Sequence, residues 1–185
     1  AGRIDELLQE EKPENIANLE EYRTSVSKIK QHVSRAGTIT HRLLGFSRKI
    51  SAEYDVQINE LIRETLSFLE SEAHSNNITL NLRLQEDLPT IRTDGAQVQQ
   101  VLLNLIENSL DAVGSGGQID ITSESSAKEV FIQIIDNGPG IKPEILERIW
   151  EPFFTTKEAG TGIGLGLSIC SDIVHKLGGS IVAEN

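Results

Sequence analysis

Gly160-Thr161-Gly162-Ile163-Gly164-Leu165-Gly166-Leu167 sets a glycine at every second position, directly ahead of an apolar-periodic stretch, Ser168 to Leu177, that reads as a helix. Glycines let backbone N–H groups come close to a bound anion, and the helix that follows turns its positive N-terminal end toward the same place. A Gly-rich stretch is as often an ordinary turn, so the reading depends on what else the chain carries. Two segments lead in the same direction. Asp136-Asn137-Gly138-Pro139-Gly140 follows an apolar strand pattern, and Asn104-Leu105-Ile106-Glu107-Asn108-Ser109-Leu110-Asp111 lies in a strongly periodic helix.

On that helix Val98, Val101, Leu102, Leu105, Ile106, Leu110 and Val113 mark the core side, and Gln97, Gln100, Asn104, Glu107, Asn108 and Asp111 group opposite. A polar face of this kind usually serves solvent. Asn, however, is a mediocre helix former, and two of them at i and i+4 beside carboxylates suit a hard cation carrying phosphates. Asn108 can offer an amide oxygen to Mg²⁺ without adding charge, and Asn104 can hydrogen-bond phosphates or metal-bound water. Asp136 closes a strand ahead of two glycines and a proline, a pattern that a tight turn explains. An ionised carboxylate there can also accept a hydrogen bond from an exocyclic amine, which would select adenine over guanine.

Around these segments the chain falls into two parts. From Asn15 to Ile50 there is no proline, and Val26, Ile29, Val33, Ala36, Thr40, Leu43, Ser47 and Ile50 step by three and four, a heptad seam. Ile39, Leu44 and Phe46 widen it toward bundle packing. Upstream, Ile4, Leu7 and Leu8 sit at helical spacing, and Lys12-Pro13-Glu14-Asn15 reads as a turn. The expectation is an antiparallel helical hairpin over residues 1–52 that pairs with a second copy into a four-helix bundle, hence a homodimer. Over residues 53–185 helices and strands alternate. Val56–Ile58, Ile78–Leu84, Ile119–Ser123 and Val130–Ile135 read as strands, the last two as a hairpin pair, and Gly114–Gly117 as a turn. Asn59–Ala73, a helix capped by Asp94 and running to Val113, and Ile145–Ile149 read as helices, and Trp150 to Gly164 as a loop. The fold class is α+β: one mostly antiparallel sheet with helices on one face.

Composition excludes several functions. With 38% hydrophobic residues among 185 the chain can build a core. A net charge of −11 with no basic patch argues against nucleic acid. No apolar run approaches bilayer length. The lone Cys170, in a mostly apolar helix, reads as a small buried residue in a reducing, cytoplasmic setting. The chain begins at Ala1 and has no Met, so a fragment is expected, any membrane-spanning part lying outside it.

In order and spacing, Asn104 to Asp111, Asp136 to Gly140, Trp150-Glu151-Pro152-Phe153-Phe154-Thr155-Thr156-Lys157 and Gly160 to Leu167 resemble the N, G1, F and G2 boxes of sensor histidine kinases. The Glu-Pro-Phe-Phe-Thr-Thr-Lys run and the Asn-Ser-Leu-Asp-Ala form resemble the nitrogen-regulatory subgroup. Leu43-Leu44-Gly45-Phe46-Ser47-Arg48 is similar to the end of the second helix of their dimerisation and phosphotransfer domain. The resemblance implies a Bergerat-type α/β sandwich that binds ATP with Mg²⁺. It further implies that Asp136 contacts the adenine amine, that Asn108 holds Mg²⁺ with Asn104 and Asp111 nearby, and that Gly138 and Gly140 shape the pocket. Backbone amides around Gly162, Gly164, Leu165, Gly166 and Leu167 would meet the phosphates, and Phe153, Phe154 and Lys157 would lie on a lid. The activity implied is transfer of the γ-phosphoryl group to a histidine, then to an aspartate on a response-regulator receiver domain, largely by positioning and charge neutralisation.

Three departures qualify this. ATP-hydrolysing relatives of the fold carry a water-activating glutamate four residues before the metal-binding asparagine, where this chain has Asn104, which disfavours an ATP-driven clamp. Glu107 is the remaining candidate to assist proton transfer, with an exposed helix glutamate as its ordinary reading. The family's acceptor histidine, followed by an acidic residue and a proline, has no match. His32, His41, His74 and His175 read as structural or surface residues, and the acceptor is expected upstream of Ala1, as the last strand is expected beyond Asn185. A serine kinase of related fold and a non-catalytic dimeric scaffold are the alternatives.

Overall fold

The computed structural model describes residue 22, residues 24–26, residue 29, residues 53–157 and residues 162–185. The chain divides into two units, Ala1–Arg48 and Lys49–Asn185. In the first, Tyr22, Thr24, Ser25, Val26 and Ile29 are helical; of the expected seam, Val26 is buried and Ile29 exposed. The rest of the hairpin expected over residues 1–52, with its turn at Lys12–Asn15 and with His32 and His41, lies outside the described residues.

The second unit runs β1 (Tyr54–Val56), α1 (Ile58–Ser75), β2 (Thr79–Leu84), β3 (Ile91–Thr93), α2 (Gly95–Val113), β4 (Gln118–Ser125), β5 (Val130–Asp136), two short 3₁₀ turns at Pro143–Ile145 and Arg148–Trp150, and α3 (Gly166–Lys176). Helix α1 forms because Ile58, Ile62, Leu66, Leu69 and Ala73 make one apolar stripe. It stops where Asn77 turns left-handed (φ 54°) and the Ile78 N–H reaches back to the Ala73 carbonyl at 2.8 Å. Helix α2 starts as its sequence predicts. The Asp94 carboxylate accepts from the Ala96 and Gln97 N–H groups at 3.1 and 3.2 Å, satisfying donors that the first turn leaves open.

A single, mostly antiparallel sheet is the prediction; the described residues form two sheets, one of them mixed. β1 pairs antiparallel with β3, a three-residue strand too short to signal itself in the sequence. In the larger sheet β4 lies between β2 and β5, parallel to β2 and antiparallel to β5. The reason is connectivity. β4 and β5 are joined by a tight turn and must run antiparallel, whereas β3 and the 19 residues of α2 separate β2 from β4, a crossover long enough for parallel pairing. The expected short helix over Ile145–Ile149 is instead the two 3₁₀ turns.

One apolar core lies between the larger sheet and helices α1 and α2, around Ile62, Leu66, Leu102, Ile106, Ile119 and Ile121. A second joins α2 to α3 through Val101, Ile169, Cys170 and Ile173. Cys170 is fully buried there, as its sequence context predicts. A polar knot closes one end of the first core. The Asn59 amide donates to the Gln85 carbonyl at 2.7 Å and its oxygen accepts from the Ser123 hydroxyl at 2.6 Å, tying the start of α1 to β2 and β4. Asn59→Ala leaves a buried hydroxyl and a carbonyl without partners. The expected loss is about 2–3 kcal/mol, measured as a lower midpoint in a urea titration with unchanged slope.

Candidate functional site

Strand β5 alternates in exposure along its length, with Ile132, Ile134 and Asp136 in phase on the helix-covered side. Asp136, opposite Ile119 of β4, thus continues a row of isoleucines with a carboxylate. Its two oxygens are held apart in role. Oδ2 accepts from the Ser109 hydroxyl of α2 at 3.1 Å, and Oδ1 accepts from the Gly138 N–H at 3.0 Å. Glycine is required at 138, because a Cβ there would stand 2.8 Å from Asp136 Oδ1 and 3.2 Å from the Ala112 backbone. The Asp-Asn-Gly stretch is therefore a turn and a clamp on the carboxylate together.

Helix α2 packs against both α1 and α3. Its polar strip is consequently not a solvated face throughout: Asp111 is exposed, but Asn104 is enclosed. Asn104 is only 3% exposed, and Asn104 and Asn108 both stand against the first residue of α3, each within 4 Å of where a Gly166 Cβ would lie. Two amide nitrogens on this strip, Gln100 Nε2 and Asn104 Nδ2, are buried without a hydrogen-bond partner. Helix α3 has no side-chain cap on its N-terminus, so its first N–H groups are open to an anion beside the same asparagines.

The Gly-rich loop and the Phe-Phe-Thr-Thr-Lys segment cross at close quarters. The Phe153 N–H donates to the Gly164 carbonyl at 2.8 Å, both residues having positive φ. A Cβ on Gly164 would meet the Phe153 and Phe154 backbone at 2.5 Å, so the crossing admits no side chain. A Cβ on Gly162 would stand 2.9 Å from the Thr155 hydroxyl and 3.1 Å from the Lys157 side chain. Arg148 stacks over the Phe154 ring, 4.6 Å from its centroid, and pairs with Glu151. Gly160 and Thr161 lie outside the described residues. Lys157 reaches α2 and forms an ion pair with Asp111. Phe153 is exposed, while Leu165 and Leu167 are half-buried.

These observations place Asp136, Gly138 and Gly166 against α2, beside Ser109, Ala112, Asn104 and Asn108, and set Gly162 and Gly164 against the Phe153–Lys157 segment. Against the family model described as histidine kinase-, DNA gyrase B- and HSP90-like ATPase, residues 93–185 match. The chain belongs to this ATPase family. Within it, the chain is the catalytic core of a sensor histidine kinase: it is 39% identical to the catalytic domain of histidine kinase ThkA, covering 73% of this chain and 88% of that one at a TM-score of 0.68. ThkA in complex with the response regulator TrrA aligns over 100% of this chain and 52% of that one, at 30% identity and a TM-score of 0.72. The sensor protein TdiS of Thauera aromatica is 33% identical over 177 residues, 91% of this chain. The chain spans about a third of the length of that relative.

Not every candidate in the kinase core joins the cluster. Glu107 lies within electrostatic reach of Glu72 on α1, as does Asp111. Gly140 is turned left-handed (φ 71°) beside Asn185, whose side chain bonds both the N–H and the carbonyl of Ile141. His74 and His175 are exposed. Among the described residues no helix is long and apolar enough to cross a membrane. Ser109 and Gln100 escape a reading based on residue type. The period-two phase of Asp136 with Ile132 and Ile134 is the signal that would have found the carboxylate's buried side.

Burial pushes the Glu72 carboxyl above its ordinary value, and the negative charges of Asp111 and Glu107 push it further. A folded-state value above the unfolded one means that protonation favours folding. The associated stability is present in acid and is lost as pH rises through the raised value. Glu72→Gln removes the charge that folding disfavours. Thermal melts should therefore show the variant melting above the parent at neutral pH, with the difference vanishing in acid below the ordinary carboxylate range.

Proposed function

We propose that this core binds Mg·ATP on the Asp136 side of α2 and, within its full-length protein, passes the γ-phosphoryl group to a histidine for relay to a response-regulator aspartate. The observation that carries the reading is the Asp136 carboxylate, locked by Ser109 and Gly138 beside the same helix that presents Asn104 and Asn108 to the open N-terminus of α3. A carboxylate so fixed accepts the exocyclic amine of adenine and refuses the carbonyl of guanine. The phosphates then meet the amides of Gly162, Gly164, Leu165, Gly166 and Leu167, with Lys157 and the Phe153–Phe154 segment above them.

The residues fit a metal that arrives with its phosphates. Among the described residues no three His, Cys, Asp or Glu side chains gather as a cage. Mg²⁺ keeps several waters and needs few protein oxygens when phosphates supply others, and the Asn108 amide oxygen is the proposed protein ligand, its nitrogen being the atom toward Gly166. When bound it would neutralise charge on the transferring group. The chain's own contribution is to orient the nucleotide, to supply backbone dipoles and to exclude water. Glu107, next to Asn108, is the candidate to move a proton.

The helical seam is read as the homodimer contact. Of the two described seam residues Val26 is already buried and Ile29 is 53% exposed in the single chain, and it is Ile29 that a second copy would cover. Light scattering should give twice the mass of one chain. A monomer at micromolar concentration overturns the dimer. The receiver domain of a response regulator is the proposed protein partner, and the cytoplasm is the proposed compartment, with any membrane contact made outside this core.

Asp136→Asn keeps the shape and turns an acceptor into a donor that faces the adenine amine. Calorimetric titration with Mg·ATP should show affinity weakened by about 1–3 kcal/mol in a folded variant. Unchanged affinity removes Asp136 from the site and the reading with it.

A further inference from the structure

The two buried amide nitrogens on α2 lack protein partners for a reason that the adenine and metal contacts do not cover. Gln100 Nε2 and Asn104 Nδ2 are each buried and unpaired. The residues are four apart on one helix, so they occupy the same face one turn from each other. A buried donor left open is unfavourable, and folded proteins keep few of them. Here two occur together, and the Asn104 side chain borders Gly166 at the uncapped start of α3. The strip thus holds two open amide donors, on Gln100 and Asn104, while Asn104 also turns its Oδ1 toward Gly166, where the uncapped start of α3 adds backbone N–H groups. Such a face suits an anion with several acceptor oxygens.

Position along α2 says which part of the nucleotide would arrive there. The base end is marked by Asp136, bonded to Ser109, and by Gly138, close to Ala112. From there toward the N-terminus of the helix come Asn108, then Asn104, then Gln100. A ligand with its base at Asp136 and its phosphate chain along this strip reaches Gln100 last. We propose that Gln100, together with Asn104, donates to the terminal phosphoryl group of the bound nucleoside triphosphate, so that Gln100 distinguishes triphosphate from diphosphate. This rests on the nucleotide site proposed above and adds to it a residue one turn beyond the asparagine pair. The amide is neutral, so it can hold the phosphoryl oxygens without adding a fixed charge that would keep the group from leaving.

The test compares Mg·AMP-PNP with Mg·ADP on the whole chain by calorimetric titration, with melting temperatures recorded in the absence of nucleotide. Gln100→Leu removes the open donor, and Gln100→Glu sets a carboxylate against the phosphates. Both variants should bind AMP-PNP about tenfold or more weakly, the value of a hydrogen bond to a charged group, while ADP affinity stays within about twofold. Without nucleotide Gln100→Leu should melt at or above the parent, since a residue that serves only the ligand leaves an unfilled donor in its absence. Equal losses for the two nucleotides, or unchanged AMP-PNP affinity, overturn the assignment. A lower melting temperature with unchanged affinity shows instead that Gln100 holds a structural water. If the parent chain binds neither nucleotide, the nucleotide site falls and this assignment with it; if it binds both and the variants lose neither selectively, Gln100 alone is wrong.

Discussion

Helix α2 packs on two sides at once, against the sheet and α1 through Leu102, Ile106 and Leu110, and against α3 through Val101 and Leu105. A helix that buries an apolar stripe on one side keeps its polar side in water. Here the second packing partner takes that freedom away, because α3 and the loop before it cover Asn104 and border Asn108. The enclosed groups on this strip must then be satisfied by something other than bulk solvent, and two of their nitrogens, on Gln100 and Asn104, are not satisfied by protein. The cost of that strip is offset by the two apolar cores on either side of it.

The carboxylate of Asp136 follows from a similar constraint on the sheet. Its strand alternates strictly, and the register that buries Ile121 against Ile134 carries Asp136 to the helix-covered face. A one-residue slip would turn it outward. Ser109 and the Gly138 N–H occupy one position on each oxygen, which sets the direction of the acceptors that remain. Glycine at 138 is the condition for that arrangement, since any side chain there would press on both the carboxylate and α2.

Electrostatics divides α2 further. Glu72, Glu107 and Asp111 gather on the side toward α1, and Lys157 reaches across to Asp111. The ion pair is exposed, so its worth lies in where it holds Lys157 rather than in stability. With Phe153 bonded to Gly164, it attaches the Phe-Phe-Thr-Thr-Lys segment at two points, one on the Gly-rich loop and one on the long helix.

Local chemistry wrote much of this into the sequence. The Asp94 cap, the periodic helices, the β4–β5 hairpin, the burial of Cys170 and the character of the three glycine- or asparagine-containing segments and of the Trp150–Lys157 run all depend on neighbours within a few positions. That is why they could be read before the fold was known. What the sequence left open depends on pairs far apart in the chain. The parallel partnership of β2 with β4 and the three residues of β3 have no local signal, because each is defined by a strand about 40 residues away. Asn59 reads as the first residue of a helix, and only contact with Gln85 and Ser123 makes it part of a buried knot. Asn104 is legible as a candidate from its residue type and spacing, but Gln100 reads as one more polar position on the helix, and only the folded chain shows its amide nitrogen buried. Residue type and period determine which way a side chain faces on its own element; only the packing of a second element decides whether that direction leads to water or to an enclosed site.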